Sequence, residues 1–217
     1  MKCFALFSGG KDSFLSVTIA QEQGFYVDLC VTIEPEEDSM MFQYPNVENA
    51  AFAARLLGLR TITRPEERFS QVFEEMKKSG YGGCVAGAIE SEYQKTRIER
   101  LCTENGLLLV APLWRKSQES VLRELQLRGI HAIIVSVSAD GLDESDLGRE
   151  IDADYMKRLL RVSSTRRINL AGEGGEFESF VMSYEPARMK VEIGNMEKIW
   201  KGSNGRVLLR GLSVTPY

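Results

Sequence analysis

Close-spaced cysteines are missing from this chain: its four, Cys3, Cys30, Cys84 and Cys102, are scattered along 217 residues. Zinc sites and iron–sulfur clusters need thiolate pairs at short spacing, so both are excluded, and no protein-held metal is expected. Three of the cysteines fall in apolar, strand-like runs and read as small buried hydrophobes. Histidine occurs once; His131 opens an apolar run and is expected to be structural, not a general base. A strong charge excess is also lacking, and a net charge of −4 argues against wholesale nucleic-acid binding. No apolar run approaches the roughly 20 residues that cross a bilayer. Met1-Lys2 leads straight into a strand instead of a secretion signal, so a soluble, cytoplasmic protein is expected. A Walker A loop is absent as well, because Ala5 stands where that motif needs its first glycine and Asp12 follows Lys11.

What is present is organised around Ser8, Gly9, Gly10, Lys11, Asp12 and Ser13. An apolar run, Cys3 to Phe7, precedes them. Phe14, Leu15, Val17, Ile19 and Ala20 follow at helical spacing, closed by Gly24. The hexapeptide is therefore a turn from a first strand into a first helix. Such a helix start leaves backbone N–H groups without partners, and glycines let an anion approach them. Ser8 and Ser13 add hydroxyls and Lys11 a point charge.

Strand and helix signals then alternate. Residues 26–33 are β-rich, and a polar loop over 34–43 carries Pro35 and four acidic residues. Helix signals return at Pro45-Asn46, with Val47, Ala50, Ala51, Ala54 and Leu57 on one face. A short strand over 59–63 leads to a helix begun by Pro65, with Phe69, Val72, Phe73 and Met76 on its apolar face. Residues 82–87 read as a buried strand, 91–104 as a helix, 107–110 as a strand, 117–128 as a helix and 130–137 as a strand. Short connections between them imply right-handed βαβ units and a parallel sheet covered on both faces. Past 138 the pattern changes: an acidic loop over 140–148, a helix over 152–162, a Gly/Glu-rich stretch over 169–180, and alternating strands with turns from Arg188 on. The expected fold is α/β, a doubly wound, mostly parallel sheet with a smaller C-terminal α+β region. The boundary is expected near Pro112-Leu113-Trp114, giving a nucleotide-binding domain over 1–111 and a substrate-binding region over 112–217.

Ligands of doubly wound sheets sit outside the carboxyl ends of the strands. Three segments are expected to meet there: 8–13, 87–90 and 140–147. Gly87 would let a flat ring approach the backbone, and the N–H and C=O groups of Ala88 and Ile89 would read an adenine edge. Gln94 and Arg97 are i, i+3 neighbours on the following helix, although on spacing alone they read as a solvated face. Glu173, Glu176 and Glu178, set among three glycines, repel one another unless something positive binds: Mg²⁺ with ATP phosphates, a cationic substrate or an ammonium ion.

The hexapeptide resembles the SGGKDS loop of the PP-loop ATP pyrophosphatases, which split ATP between its α- and β-phosphates on an adenine nucleotide alpha hydrolase-like fold. Three further pieces follow in order: GAIESEYQKTRIE at 87–99, APLW at 111–114 with GLDESDLGR at 141–149, and GEGGEFESF at 172–180. Together they resemble the diphthine–ammonia ligase family in its short archaeal-type form, from residue 1 to about 182. The resemblance implies amidation of diphthine on translation elongation factor 2 to diphthamide. The acceptor would be adenylated by ATP with Mg²⁺, attacked by ammonia, and AMP and pyrophosphate released. Ser8–Ser13 would hold the pyrophosphate, Lys11 and Asp12 would act at the phosphates, and Gly87, Ala88 and Ile89 would seat adenine. Gln94 and Arg97 would position nucleotide or substrate. Glu173, Glu176 and Glu178 would line the acceptor side, one of them taking a proton from ammonium. The missing cysteine pair speaks against the sulfur-transferring relatives. The alternatives are another PP-loop amide ligase, a tRNA-modifying enzyme, or an adenine nucleotide-binding protein without turnover. The hairpin tail makes a homodimer the expected assembly.

Overall fold

The computed structural model describes residues 1–36 and 46–217. Most of the expected polar loop, and the Pro45 helix start, lie outside the described residues. Strand β1 (Lys2–Leu6) feeds helix α1 (Lys11–Glu22), followed by β2 (Tyr26–Glu34), α2 (Ala50–Leu56), β3 (Arg60–Pro65), α3 (Phe69–Lys78), β4 (Gly83–Val85), α4 (Glu92–Glu104) and β5 (Leu108–Val110). The five strands are parallel in the order β3-β2-β1-β4-β5. The chain winds outward from β1 to β3 and then restarts at β4, so the order reverses between β1 and β4. A crevice opens there at the carboxyl ends of the strands. Ser91 caps α4, its hydroxyl accepting from the Gln94 N–H.

The second half holds α5 (Gln118–Leu127), β6 (Ile130–Val137), α6 (Ala153–Thr165), β7 (Phe177–Tyr184), β8 (Met189–Glu192), β9 (Asn195–Lys201), β10 (Asn204–Arg210) and β11 (Ser213–Pro216). Its six strands form an antiparallel sheet in the order β11-β8-β7-β6-β10-β9. This corrects one expectation. Strand β6 does not extend the parallel sheet; it runs antiparallel to β7, from Ile130 opposite Tyr184 to Val137 opposite Phe177. Six of its eight residues are buried, so it lacks the alternation that would mark a strand with one wet face. Its partner β7 starts inside the Gly/Glu-rich stretch that reads as a loop. Nor do the late strands hang off as a tail, since β10 pairs directly with β6.

Helices α3 and α4 cover one face of the parallel sheet around Phe4, Phe73, Ile98 and Cys102. On the other face α1 and α2 lie in a continuous core with residues of the second sheet, among them Phe14, Ala50, Ile133, Phe180 and Val207. Helix α1 is consequently buried from Ser13 to Ala20, and Phe14 meets the Tyr184 ring edge-on at 5.4 Å. Two buried asparagines tie the start of α2 to β10: Asn46 donates to Val207 O (2.7 Å) and accepts from Leu209 N–H (2.9 Å), and Asn49 donates to Leu209 O (3.1 Å). Among the described residues, no helix is long and apolar enough to cross a membrane.

Candidate active site between the two sheets

The loop after β1 is shaped by its own serines and by β7. Ser13 Oγ lies 3.2 Å from Ser8 Oγ and donates to Gly10 O at 3.0 Å, while the Gly10 N–H donates to Ser8 Oγ at 3.3 Å. Gly9 takes φ +80°, and a Cβ there would sit 3.0 Å from the Ala50 backbone; its carbonyl accepts from the Val181 N–H of β7 at 3.0 Å. The Lys11 N–H donates to Ser179 Oγ of β7 at 3.1 Å. Two serines and three glycine-enabled contacts thus hold the positive end of α1 against the crevice.

That crevice is a cavity of about 470 Å³, within the usual range for a small-molecule site. Of the residues singled out in the sequence, Ser8, Lys11, Asp12, Ser13, Gly87, Ala88, Gln94, Glu173 and Glu178 line it. Gly9 and Gly10 lie beneath it as supports. Ile89, Arg97 and Glu176 are not brought to it, nor is the stretch 140–147. Sequence reasoning missed an apolar wall formed by Val31, Ile33, Val47, Ala86 and Ile98. Its signal was available: Ile33 and Ala86 lie at or just past the carboxyl ends of β2 and β4, where the strand order reverses.

Gly87 lines the cavity and also packs against α1. A Cβ on it would meet Ser13 N at 2.9 Å and Asp12 C at 3.0 Å, so it is small to let β4 abut the first turn of α1. Since both neighbours are backbone, Gly87→Ala must push the loop and α1 apart. It is expected to cost about 1–3 kcal/mol; a variant that melts like the parent would contradict the packing. Ile89 is also committed elsewhere. Its N–H donates to Glu173, so it is not free for a base edge, and its carbonyl accepts from the Arg115 N–H at 2.8 Å. Arg97 lies with its guanidinium over the Phe69 ring at 5.2 Å, away from the cavity.

The acidic groups separate into distinct jobs. Glu173 Oε1 accepts from three successive backbone N–H groups, of Ile89 (2.9 Å), Glu90 (3.0 Å) and Ser91 (3.3 Å), at the start of α4. Glu176 folds back on its own segment, accepting from the N–H groups of Asn169 (2.8 Å) and Gly174 (2.9 Å). Lys11, 2% exposed, donates its ammonium to Asp12 Oδ2 at 2.8 Å and to Ala171 O. Asp12 Oδ1 is buried without a hydrogen-bond partner. Burial pushes the Asp12 carboxyl up, opposed by Lys11. Burial pushes the Glu178 carboxyl to about 7, with Lys11 pulling it down and the Asp12 and Glu173 charges adding to the rise.

This gives a pH signature with a definite sign. The native Glu178 holds its proton from the unfolded value near 4.3 up to about 7. Over that window the folded state binds more protons than the unfolded one, so stability falls as pH rises. Glu178→Gln keeps the shape without the charge. It is expected to match the parent below about pH 4 and to exceed it by roughly 3 kcal/mol at pH 8; denaturant titrations at both pH values check this, and a pH-independent difference would refute the burial of that charge.

The expected site segment 140–147 acts from below instead. Asp146, fully buried, accepts from Arg158 Nε (2.6 Å) and Nη2 (2.7 Å) of α6 and from the Asp143 N–H (2.8 Å). The Ser138 N–H donates to Glu176 O at 2.9 Å, so this loop underlies the acidic segment without reaching the cavity. His131 sits between Glu150 (2.6 Å) and Glu185 (2.9 Å), outside the cavity lining. Burial would lower its pKa, but the two carboxylates outweigh burial and raise it.

A glycine–serine loop at the switch point of a parallel sheet, with β7 of a second sheet packed against it, marks a doubly wound α/β protein with a small-molecule crevice at the carboxyl ends of its strands. Comparison with known proteins carries the assignment further. The family model described as Diphthamide synthase N-terminal domain matches residues 1–109, and the one described as Diphthamide synthase C-terminal domain matches 117–213. A Bos taurus protein named diphthine–ammonia ligase is 30% identical over 228 residues, covering 92% of this chain and 85% of the relative. The Rattus norvegicus protein of that name is 29% identical with the same coverage. The Schizosaccharomyces pombe one is 27% identical over 95% of this chain, which spans 38% of its length. The chain belongs to the diphthine–ammonia ligase family. Among solved structures, a Methanocaldococcus jannaschii protein titled a predicted subunit of tRNA methyltransferase superposes with TM-score 0.45 at 16% identity, covering 85% of this chain and 97% of that one. A Pyrococcus horikoshii protein gives 0.40 at 16% identity over 59% and 41% of the two chains.

Proposed function

We propose that this protein is an ATP-dependent, AMP-forming ligase that amidates diphthine on translation elongation factor 2 with ammonium, through an acyl-adenylate. The observation that carries the reading is the cavity itself, with the phosphate-ready loop and α1 N-terminus on one side and Glu178 on the other. In this reading residues 1–111 bind ATP and residues 112–217 complete the acceptor side.

A carboxylate cannot expel oxide, so it must first be activated. Its oxygen attacks the α-phosphorus of ATP, and pyrophosphate leaves. The N–H groups at the start of α1, with Ser8 and Ser13, hold the departing charge. The apolar wall of Val31, Ile33, Val47 and Ile98, next to Ala88, suits the flat adenine ring, and Gln94 faces the same space. Lys11 balances the carboxylates of Asp12 and Glu178 from beneath, not as a free phosphate ligand. The orphaned Asp12 Oδ1 fits a Mg²⁺ ion brought with the nucleotide, since Mg²⁺ is commonly held by one or two carboxylates plus phosphates. Bound there, the ion would supply charge neutralisation at the phosphates. Glu178, poised at about 7, is suited to take a proton from ammonium, and the freed ammonia attacks the acyl carbon as AMP leaves. The carboxylates of Glu178 and Glu173 also favour the quaternary ammonium of diphthine on this side.

The test mixes protein, ATP, Mg²⁺, ammonium and elongation factor 2 arrested at diphthine, and follows AMP and the mass of the modified peptide. AMP with exchange of OH for NH₂ is expected. AMP without that exchange would contradict the acceptor, and no AMP at all would contradict ligase chemistry.

A further inference from the structure

Residues 169–176 form a strap from the second half that walls the cavity through Gly172, Glu173, Gly174 and Gly175. Gly172 at φ +75° and Gly175 at φ +81° give the strap its turns, and Glu176 braces them from within, but none of these internal bonds joins the strap to the rest of the fold. The strap is nevertheless pinned to the first half by side chains that do not line the cavity. Glu90 Oε2 accepts from Gln118 Nε2 at 3.0 Å and from Asn169 Nδ2 at 3.2 Å. Gln118 Oε1 accepts from the Leu170 N–H at 2.7 Å, and Asn169 Oδ1 accepts from the Ala171 N–H at 2.9 Å. Glu90 also sits between Ile89 and Ser91, in the run of N–H groups that holds Glu173. One carboxylate and two amides thus lock together the approach to α4, the start of α5 and the strap.

We propose that Glu90, Gln118 and Asn169 are positioning residues that clamp the strap shut and so keep water from the activated acyl group, an inference that rests on the ligase reading. The chemistry demands such a device. If water reaches an acyl-adenylate, its oxygen bonds to the acyl carbon, the acyl–oxygen bond to AMP breaks, and protons pass to solvent. The carboxylate returns and one ATP is spent without amide. A glycine-rich wall excludes water only if something outside it holds it still. The clamp does so without presenting another group to the substrate.

Gln118→Glu tests this. At the first position of α5 a glutamate is compatible with the helix, but it cannot donate to Glu90 and repels it. Hydrogen exchange at Leu170, Ala171 and Glu173 is expected to quicken in this variant while the melting temperature stays put. The AMP released per amide formed is expected to rise about fivefold, the worth of roughly one net hydrogen bond. The double variant Gln118→Glu with Glu90→Gln reverses the polarity of the pair. After a small rotation the amide at 90 donates through Nε2 to the carboxylate at 118 and accepts through Oε1 from Asn169, so exchange and coupling should both return. Unchanged exchange in the single variant would overturn the clamp. Faster exchange with AMP and amide still one to one would overturn the water-excluding role. A wild-type protein that releases no AMP would defeat the ligase reading, and with it that role, while exchange still decides the clamp.

Discussion

Asp12→Asn lowers the rate of AMP formation by about a hundredfold to a thousandfold, the range seen when one preorganised charge-stabilising group is removed from a site. Asparagine keeps the size and the branch of the side chain. What it loses is the negative charge that faces Lys11 at 2.8 Å on one oxygen and has no protein partner on the other. In the ligase reading that free oxygen meets the nucleotide's metal. The variant is also expected to lose stability, because it leaves the buried Lys11 ammonium without its facing charge. Initial rates of AMP release and thermal melts together separate the two effects. A variant within a few-fold of the parent rate would remove Asp12 from the chemistry.

Asp146→Ala is expected to cost about 3 kcal/mol, the lower end for breaking a buried ion pair. Asp146 is fully buried, whereas the Arg158 side chain is 31% exposed and can turn to solvent once alone. For a chain of this size that corresponds to a fall in melting temperature of about 6–12 °C. The loss reaches the site indirectly, because the loop carrying Asp146 supports the strap through the Ser138–Glu176 hydrogen bond. Lys157→Ala, which breaks the exposed pair with Asp154, should leave the melting temperature unchanged. Equal effects of the two substitutions would contradict the burial argument.

The side of the cavity built by the parallel sheet was largely legible in the sequence. Glycines and serines between an apolar run and a helical pattern announce a strand–loop–helix turn, and the helix starts at Ser91 and Ser117 announce themselves by their caps. The side built by the second sheet was not. Strand β7 begins at Phe177, directly after Gly172, Gly174 and Gly175, and its Glu178 points into the cavity, so both composition and alternation hid it. Strand direction is also invisible in a run buried on both faces, which is why β6 read as parallel. Three glutamates among glycines signalled a site, but their separate duties depend on distant partners. Glu173 finds N–H groups more than eighty residues away, and Lys11 finds a carbonyl 160 residues away. Gly87 was singled out as a place of close approach for a ring; its contact with the first turn of α1 lies more than seventy residues away in the chain and could not be read from it.

The most direct test of the acyl-adenylate uses elongation factor 2 whose diphthine carboxylate carries heavy oxygen. Activation bonds one carboxylate oxygen to the α-phosphorus, and ammonia then breaks the acyl–oxygen bond on the far side of that atom. One label is therefore expected in the phosphate of AMP, and the amide keeps the other. Unlabelled AMP, or label in pyrophosphate, would contradict the account.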